Sequence, residues 1–311
     1  MYGCTPSHAT VSMSAYALYS ASIMTIRYNK EKKCLDRIPT TTNYIQIVVF
    51  HHSVRFVILL LALSMMQSIL TPSHYNFFDT TTTTPWYDLQ RILSIKQLGN
   101  NLLNAILLQL YLCVYGEGLR LVTVLITGCY VEIFMDEMAL FQSTSISNFW
   151  GQRWNRTVHQ CLKRGIYIPV RKIIGGSSFS KPIAAVMAFI FSGLFHEWML
   201  TYSMAEGDDY HNQSGNPIII ATNISYGGAT AFMVWNAMLI SIEYAITSSI
   251  KKSNNNNNKE NGKSVLLINN LLRPIMILLT ALPVAHWFLE PYTNSNYFTH
   301  GAMGIILIQK I

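Results

Sequence analysis

Residues 181–202 read KPIAAVMAFIFSGLFHEWMLTY, and this stretch indicates the solvent for which the chain is built. It is about as long as the roughly 20 apolar residues that a helix needs to cross a hydrocarbon core. His196 and Glu197 interrupt it near its end. Because a helix rises about 1.5 Å per residue, the His196 ring should lie about 22 Å beyond Lys181. Ionisable groups at such depth usually mark a functional path. The alternative is a histidine that only pairs with a neighbouring helix.

The composition of the whole chain indicates a membrane protein. Half of the 311 residues are apolar and only 12% are charged, whereas a soluble domain has roughly 25% charged residues. Apolar windows of suitable length lie at 44–71, 98–116, 119–138, 183–203, 225–250 and 265–289. We therefore predict an all-α, multi-pass bundle of about six to eight membrane helices. A weaker window at 9–26 is either a poor span or an interfacial helix.

We treat residues 1–311 as a single integral membrane domain. Residues 1–43 form an N-terminal segment that contains the weak window, and residues 141–202 form the core that carries the motifs described below. The five cysteines include no CxxC pair, so neither a zinc site nor a disulfide framework is expected. The net charge of +7 lies mainly beside the apolar windows. The expected partners of these basic residues are membrane lipids or an anionic substrate, and not nucleic acid.

Charge asymmetry predicts which loops face the cytosol. Residues 139–195 contain no Asp or Glu but many Lys and Arg, whereas the loop 204–224 is acidic and holds sequons at Asn212 and Asn223. By the positive-inside rule the first segment is cytosolic and the second lumenal. Residues 27–43 also look cytosolic, yet three windows separate them from the basic segment. Since an odd number of crossings cannot join two segments on one face, one window must be re-entrant or interfacial, or two windows must divide differently, and the pair at 98–138 is the candidate.

The segment from Ser145 to Val170 predicts an amphipathic interfacial helix. One face carries aromatic and apolar residues at helical spacing, and a separate face is basic. The aromatic face comprises Trp150, Trp154, Val158 and Cys161, and the basic face Arg153, Arg156, Gln160, Lys163 and Arg164. Indole rings anchor such a helix in the headgroup layer, and guanidinium groups reach phosphate. Its simplest function would be to fix the topology.

The available chemistry is a buried base without an obvious covalent nucleophile. The sequence HEWML at 196–200 is not HExxH, and the chain contains neither a phosphate-binding glycine loop nor a GxSxG elbow. A buried base suits direct transfer, in which His196 takes the proton of an acceptor hydroxyl as the oxygen attacks an activated acyl carbon. An apolar cavity would suit both substrates if they are lipids.

Two segments together resemble the membrane-bound O-acyltransferase superfamily, most closely its plant-type wax synthase branch. The resemblance runs from about Phe141 to Tyr202. Its motifs are Phe149-Trp150-Gly151, Arg153-Trp154-Asn155, Val158-His159 and Ser192-Gly193-Leu194 followed by His196-Glu197. Gln152 stands where the branch usually has a second arginine. The resemblance implies a multi-pass acyltransferase fold and a long-chain-alcohol O-fatty-acyltransferase activity.

The resemblance also implies roles for individual residues. His196 would be the catalytic histidine, with Asn155 as the polar residue placed near it, and Arg153 and Arg156 would meet the anionic coenzyme A. We expect the other matched side chains to contact the substrates: Trp150, Trp154, His159, Ser192 and Glu197. No resident cofactor or metal is implied, because acyl-CoA is itself the activated co-substrate. The expected location is the endoplasmic reticulum.

Several alternatives stay open at this point. The acceptor could be a fatty alcohol, a sterol, a diacylglycerol or a small alcohol, because all would use the same base. A non-enzymatic transporter-like bundle or an inactive lipid-binding relative is the competing class. His51, His52 and Arg55 are interpreted as a membrane edge or a polar interhelical contact. Glu243 and His286 could line a reaction chamber or pair with a neighbouring helix, and Asp136 and Glu137 are interpreted as interfacial. The oligomeric state is not indicated.

Overall fold

The computed structural model describes residues 26–29, 34–39, 42–70, 92, 94–175, 179–205, 227–254 and 279–294. The weak window at 9–26, the sequons in the 204–224 loop and most of the 265–289 window lie outside these ranges. In chain order the elements are β1 (Tyr28–Asn29), β2 (Cys34–Leu35), α1 (Thr42–Leu70), α2 (Ile95–Thr127), α3 (Ala139–Gln142), α4 (Ile146–Asn148), a π-helical turn (Phe149–Arg153), α5 (Arg156–Leu162), a second π-helical turn (Lys163–Tyr167), α6 (Ile168–Ile174), α7 (Ser180–Ala205), α8 (Gly228–Asn254), a 3-10 turn (Leu282–Val284) and α9 (His286–Asn294).

The described part of the chain contains four helices long and apolar enough to cross a membrane: Asn43–Ser68, Ile95–Thr127, Ser180–Leu200 and Gly228–Ser249. The predicted all-α, multi-pass class is confirmed, and the chain is an integral membrane protein. The two-residue strands β1 and β2 form only a small antiparallel ribbon. Large apolar side chains on α1, such as Phe50, Leu61 and Met65, are at least 60% exposed, as expected of a helix that faces lipid.

The windows at 98–116 and 119–138 do not form two spans. A single helix, α2, runs from Ile95 to Thr127 and ends where Gly128 adopts a left-handed conformation with φ of 62°. Residues 128–138 then continue as non-helical chain beside α2. Gln109 of α2 donates a hydrogen bond to the Glu137 carbonyl and accepts one from the Leu140 amide. These two backbone groups have hydrogen-bond partners inside the protein, as non-helical chain at membrane depth requires.

The merged helix reduces the three apolar windows between residues 27–43 and the basic segment to two long helices, α1 and α2. The chain before α1 pairs with the chain that follows α2, because Arg27 N donates to Tyr130 O at 2.8 Å and Ile38 N donates to Gly128 O at 2.9 Å. The start of α1 and the end of α2 therefore meet at one end of the bundle.

Close helix contacts depend on two glycines. A side-chain carbon at Gly193 of α7 would lie 2.6 Å from Thr230 Cα of α8, and one at Gly228 would lie 2.5 Å from the Trp287 carbonyl oxygen. Small residues allow membrane helices to approach closely where lipid supplies no hydrophobic force between them. These contacts bring α7, α8 and α9 together around an apolar core that includes Phe232, Met233 and Phe288.

Candidate functional site

A partly open cavity of about 590 Å³ lies among α2, α5, α7, α8 and the residues around Ala285. Its volume falls in the range of about 300–1,000 Å³ that is usual for small-molecule sites. Most of its wall is apolar. Six residues singled out from the sequence line it: Trp150, Trp154, Asn155, His159, Ser192 and His196. The structure thus brings the two motif segments together around one space.

His196 reaches this cavity from the second half of α7. Its imidazole packs edge to face against the Phe288 ring, with ring centroids 4.8 Å apart. Phe195 lies 6.2 Å from it in a second edge contact. The imidazole therefore has aromatic neighbours and an adjacent space large enough for a substrate.

Glu197 follows His196 in sequence but makes different contacts in the structure. Its Oε1 accepts hydrogen bonds from Gly227 N at 3.0 Å and Thr230 N at 3.1 Å. The carboxylate thus caps the amino end of α8, where free amides and the helix dipole favour a negative group. Glu197 is not among the residues that line the cavity. Its expected substrate contact has no support in this geometry.

Asn155 occupies a strained turn between the π-helical turn 149–153 and α5. Its φ is 22° and its ψ is 74°, and it is the only described non-glycine residue with a positive φ. The side-chain oxygen accepts a hydrogen bond from Val158 N at 3.1 Å, which caps α5. A single amphipathic helix across 145–170 was therefore the wrong expectation, since the chain breaks at Trp154-Asn155. Trp150, Trp154 and Val158 still share the cavity wall, whereas Cys161 is exposed.

Arg153 and Arg156 flank this turn and both bind Asp136. Arg153 Nη1 lies 3.0 Å from Asp136 Oδ2, and Arg156 Nη2 lies 2.8 Å from Asp136 Oδ1. Two backbone hydrogen bonds reinforce the pairing, from Asp136 N to Arg153 O and from Arg156 N to Phe134 O. We call this set of contacts the Asp136 clamp. Neither guanidinium lines the cavity, so the structure assigns both arginines to the turn that presents Asn155.

A different pair of basic side chains lines the cavity near α5. His159 and Lys163 both contribute to the wall, together with Tyr167. Burial lowers the pKa of His159, and the positive charge of Lys163 lowers it further. The sequence marked Lys163 only as part of a basic face. Its position at the cavity wall is a property of the fold.

Asn236 of α8 is a cavity residue that the sequence analysis missed. It is 0% exposed, and its Oδ1 accepts a hydrogen bond from Trp150 Nε1 at 3.0 Å. The sequence feature that could have indicated Asn236 is an uncharged amide inside the apolar window 225–250. The two ionisable residues singled out in the late apolar windows have partners of their own: Glu243 accepts hydrogen bonds from Ser147, and His286 Nδ1 contacts the Pro283 carbonyl oxygen at 3.0 Å.

Comparison with known proteins finds a family that these motifs resemble. Residues 134–217 match the model of the membrane bound O-acyl transferase family. This segment is therefore similar to that family. It contains the Asp136 clamp, the Asn155 turn and the His196 segment, and it encloses the resemblance found from Phe141 to Tyr202.

Curated proteins similar to this chain are named as acyltransferases. Probable long-chain-alcohol O-fatty-acyltransferase 7 of Arabidopsis thaliana is 34% identical over 27% of this chain and 25% of its own length. Probable long-chain-alcohol O-fatty-acyltransferase 6 of the same plant is 25% identical over 55% of this chain and 44% of its own. Acyl-CoA–sterol O-acyltransferase 1, also from Arabidopsis thaliana, is 34% identical over 20% of this chain and 19% of its own. The chain thus matches about a quarter of the first relative's length. No solved structure matches it significantly.

The acyltransferase motifs account for only part of the cavity wall. Asn236 of α8 and Phe288 of α9 lie beyond the matched segment. Tyr111 and Tyr115 of α2 precede it. The matched segment therefore supplies His196 and Asn155, whereas the flanking helices supply Asn236, the two tyrosines and part of the apolar wall.

Proposed function

We propose that the chain is an acyl-CoA-dependent O-acyltransferase that esterifies a long-chain fatty alcohol to a wax ester. The observation that supports this proposal most is the shared cavity, because one apolar space of about 590 Å³ is lined by both His196 and Asn155. The names of the curated relatives, which include long-chain-alcohol and sterol acyltransferases, agree with the reaction class.

The proposed reaction is direct transfer with His196 as general base. A ring nitrogen of His196 takes the proton of the alcohol as its oxygen attacks the thioester carbonyl carbon. The new carbon–oxygen bond forms, the carbon–sulfur bond breaks, and the thiolate of coenzyme A receives the proton from the imidazolium. No oxidant or covalent enzyme intermediate is needed.

Asn155 is proposed to act on the oxygen of the thioester carbonyl. The negative charge that develops there needs a donor held in place, and such a donor contributes a few kcal/mol, about 2.7–4 in a well-studied case. The side-chain oxygen of Asn155 is fixed by Val158 N at 3.1 Å. That contact orients the amide and leaves its nitrogen as the donor group.

We propose that Lys163 and His159, rather than Arg153 and Arg156, lie nearest to the anionic part of the donor. A lysine ammonium is a compact charge that binds phosphate well. Lys163 lines the cavity, whereas both arginines are engaged by Asp136. Acyl-CoA is the only activated group required, so we propose no resident cofactor or metal. The proposed location is the endoplasmic reticulum membrane.

Ester formation in microsomes tests the proposal. Microsomes that contain the full chain receive labelled acyl-CoA and a panel of fatty alcohols, a sterol, a diacylglycerol and a short alcohol. We expect labelled wax ester from the fatty alcohols, and about 100–10,000-fold slower formation in microsomes that contain His196→Ala. Sterol ester as the main product would replace the proposed acceptor. Absence of any ester, with folded wild-type protein in the membrane, would favour the inactive lipid-binding alternative.

A further inference from the structure

Asn236 is the most completely buried amide in the cavity wall. Both of its polar groups are used, since Oδ1 accepts from Trp150 Nε1 at 3.0 Å and Nδ2 donates to Phe232 O at 2.8 Å. A polar amide inside a membrane bundle is unfavourable unless its hydrogen bonds are made. Here one of those bonds reaches a side chain 86 residues away in sequence. The amide thus joins α8 to the π-helical turn that precedes Asn155.

Trp150, its partner, forms a flat part of the cavity wall. The indole makes edge contacts with the rings of Phe149, Phe189 and Phe232 at centroid distances of 5.0, 5.6 and 6.3 Å. Such contacts restrict where the ring can lie, because aromatic pairs prefer edge-to-face or offset arrangements. The hydrogen bond to Asn236 selects one orientation, because in an apolar site the indole N–H has few other acceptors.

A series of ring contacts joins Trp150 to the proposed base. Phe232 contacts Trp150 at 6.3 Å and Phe288 at 5.5 Å, and Phe288 contacts the His196 imidazole at 4.8 Å. Phe232 and Phe288 also line the cavity. A hydrocarbon chain whose reacting end lies at His196 and which follows this wall meets the Trp150 indole.

We propose that Asn236 is a positioning residue that holds the Trp150 indole as the wall limiting the length of the hydrocarbon chain in the cavity. The inference rests on the proposed acyl transfer for its substrate class. The limiting chain belongs either to the acyl donor or to the alcohol, since both are long saturated chains. Shape selection of this kind discriminates strongly, because one methylene group in an apolar pocket changes a substrate's kcat/KM by about 10–200-fold.

Three variants test the assignment. Asn236→Leu removes the acceptor with little change in size, and Trp150→Phe removes both the indole N–H and part of the wall. Trp235→Phe is the matched control, because Trp235 also donates its indole N–H, to Thr280 O at 2.9 Å, but does not line the cavity. Each variant is assayed in microsomes against acyl-CoA donors of increasing length with one alcohol, and against alcohols of increasing length with one donor.

We expect Asn236→Leu and Trp150→Phe to shift the preferred length upward in one of the two series. The ratio of kcat/KM for the longest to the preferred chain should rise by at least about 10-fold, and Trp235→Phe should keep the wild-type profile. The series that shifts identifies which substrate chain meets the wall. The double variant Asn236→Leu/Trp150→Phe should match Trp150→Phe, because the two residues act through one contact. An unchanged profile in folded Asn236→Leu and Trp150→Phe, or an equal shift in Trp235→Phe, would overturn the proposal.

A binding arm separates this inference from the proposed function. Thermal shifts of the full-length protein are measured with non-reactive thioether analogues of acyl-CoA and with free alcohols, each in a series of chain lengths. A shifted length profile in the variants without any ester formation would reject the acyl transfer and retain the wall. Ester formation with unshifted profiles in both assays would reject the wall and retain the acyl transfer. If Asn236→Leu does not fold, Trp150→Phe alone decides, since it keeps Asn236.

Discussion

Two regions of this bundle each place a histidine and a glutamate among membrane-spanning helices, and the two histidines have opposite surroundings. His196 lines a cavity of about 590 Å³ and packs on Phe288. His52 of α1 instead contacts the Glu117 carboxylate of α2, which also binds Arg120 Nη1 at 3.0 Å. We call the second region, with Arg55 and Glu137, the α1–α2 charge cluster.

The space beside each region distinguishes the two. The α1–α2 charge cluster borders a space of only about 10 Å³, room for at most one water molecule. Its charges meet one another, as in the contact of 2.6 Å between Arg55 Nε and Glu137 Oε1. Polar groups within a membrane bundle therefore stabilise the fold where they bind each other, and are available for chemistry where they face a cavity. The interhelical interpretation of His52 and Arg55 is confirmed by these contacts.

The largest effect on stability is expected at Glu117. Glu117→Gln removes the charge that Arg55, Arg120 and His52 share, and leaves two guanidinium groups without their common anion. Removing one partner of a buried pair costs about 3–5 kcal/mol. We expect a large fall in the melting temperature of the detergent-solubilised protein. Glu132→Gln, at an exposed carboxylate, is the control. Equal melting temperatures for the two variants would show that the charge cluster does not stabilise the fold.

The next largest effect is expected at Asp136, the shared ion-pair partner of Arg153 and Arg156. Asp136→Asn weakens both ion pairs of the clamp and frees the strained Asn155 turn. Misplacement of a catalytic group by about 1 Å can lower the rate by about 100-fold. We expect ester formation to fall by about 10–100-fold, with partial rescue by Asp136→Glu, which keeps the charge. Wild-type activity in Asp136→Asn would remove the clamp from the account.

A smaller effect is expected at the contact between α7 and α8. Gly193→Ala puts a methyl carbon 2.6 Å from Thr230 Cα, and overpacking of this kind costs about 1–3 kcal/mol. Gly165→Ala is the matched control, because no atom lies within 4 Å of the added carbon. The melting temperature should fall only for Gly193→Ala. If both variants melt alike, the close approach of the helices is not required.

The smallest effect is a pH dependence set by His159. Its lowered pKa means that it stays neutral in the folded protein where the unfolded chain, with a pKa near 6.5, already binds a proton. Burial of the neutral His159 ring therefore does not lower the free energy of unfolding well above pH 6.5. Below that value the free energy of unfolding falls as the pH drops. His159→Gln should make the decline in melting temperature between about pH 7 and pH 5 shallower. A decline as steep as that of the wild type would contradict the buried state of His159.

The sequence predicted the site through residues that are unfavourable in lipid. His196 stood out because it interrupts an apolar window, and Asn155 because its neighbours resemble a family motif. Asn236 also interrupts a window, but an amide is common enough within spans that its partner had to be seen. The Asp136 clamp was not predictable, since its contacts join residues 17 and 20 positions apart across a non-helical turn.

The errors in the predicted helices also arise from contacts and backbone angles that the sequence does not show. The boundary drawn between 98–116 and 119–138 lies at Glu117, where a hydropathy window records a charge but not the arginines and histidine that balance it. Helix α2 continues through Glu117 because the side chains that balance this carboxylate lie on α1 and α2 themselves. The break at Asn155 depends on extended backbone at Trp154 and a positive φ at Asn155, which the spacing of apolar residues cannot reveal.

The comparison of the two histidines is tested most directly by one assay on a matched pair of variants. Ester formation is measured in microsomes for His196→Ala and His52→Ala, divided by the amount of folded protein, with melting temperatures recorded alongside. We expect His196→Ala to lower the rate per folded molecule by about 100–10,000-fold with little change in melting temperature. His52→Ala should lower the melting temperature and leave the rate per folded molecule near that of the wild type. Wild-type turnover in folded His196→Ala would contradict the account.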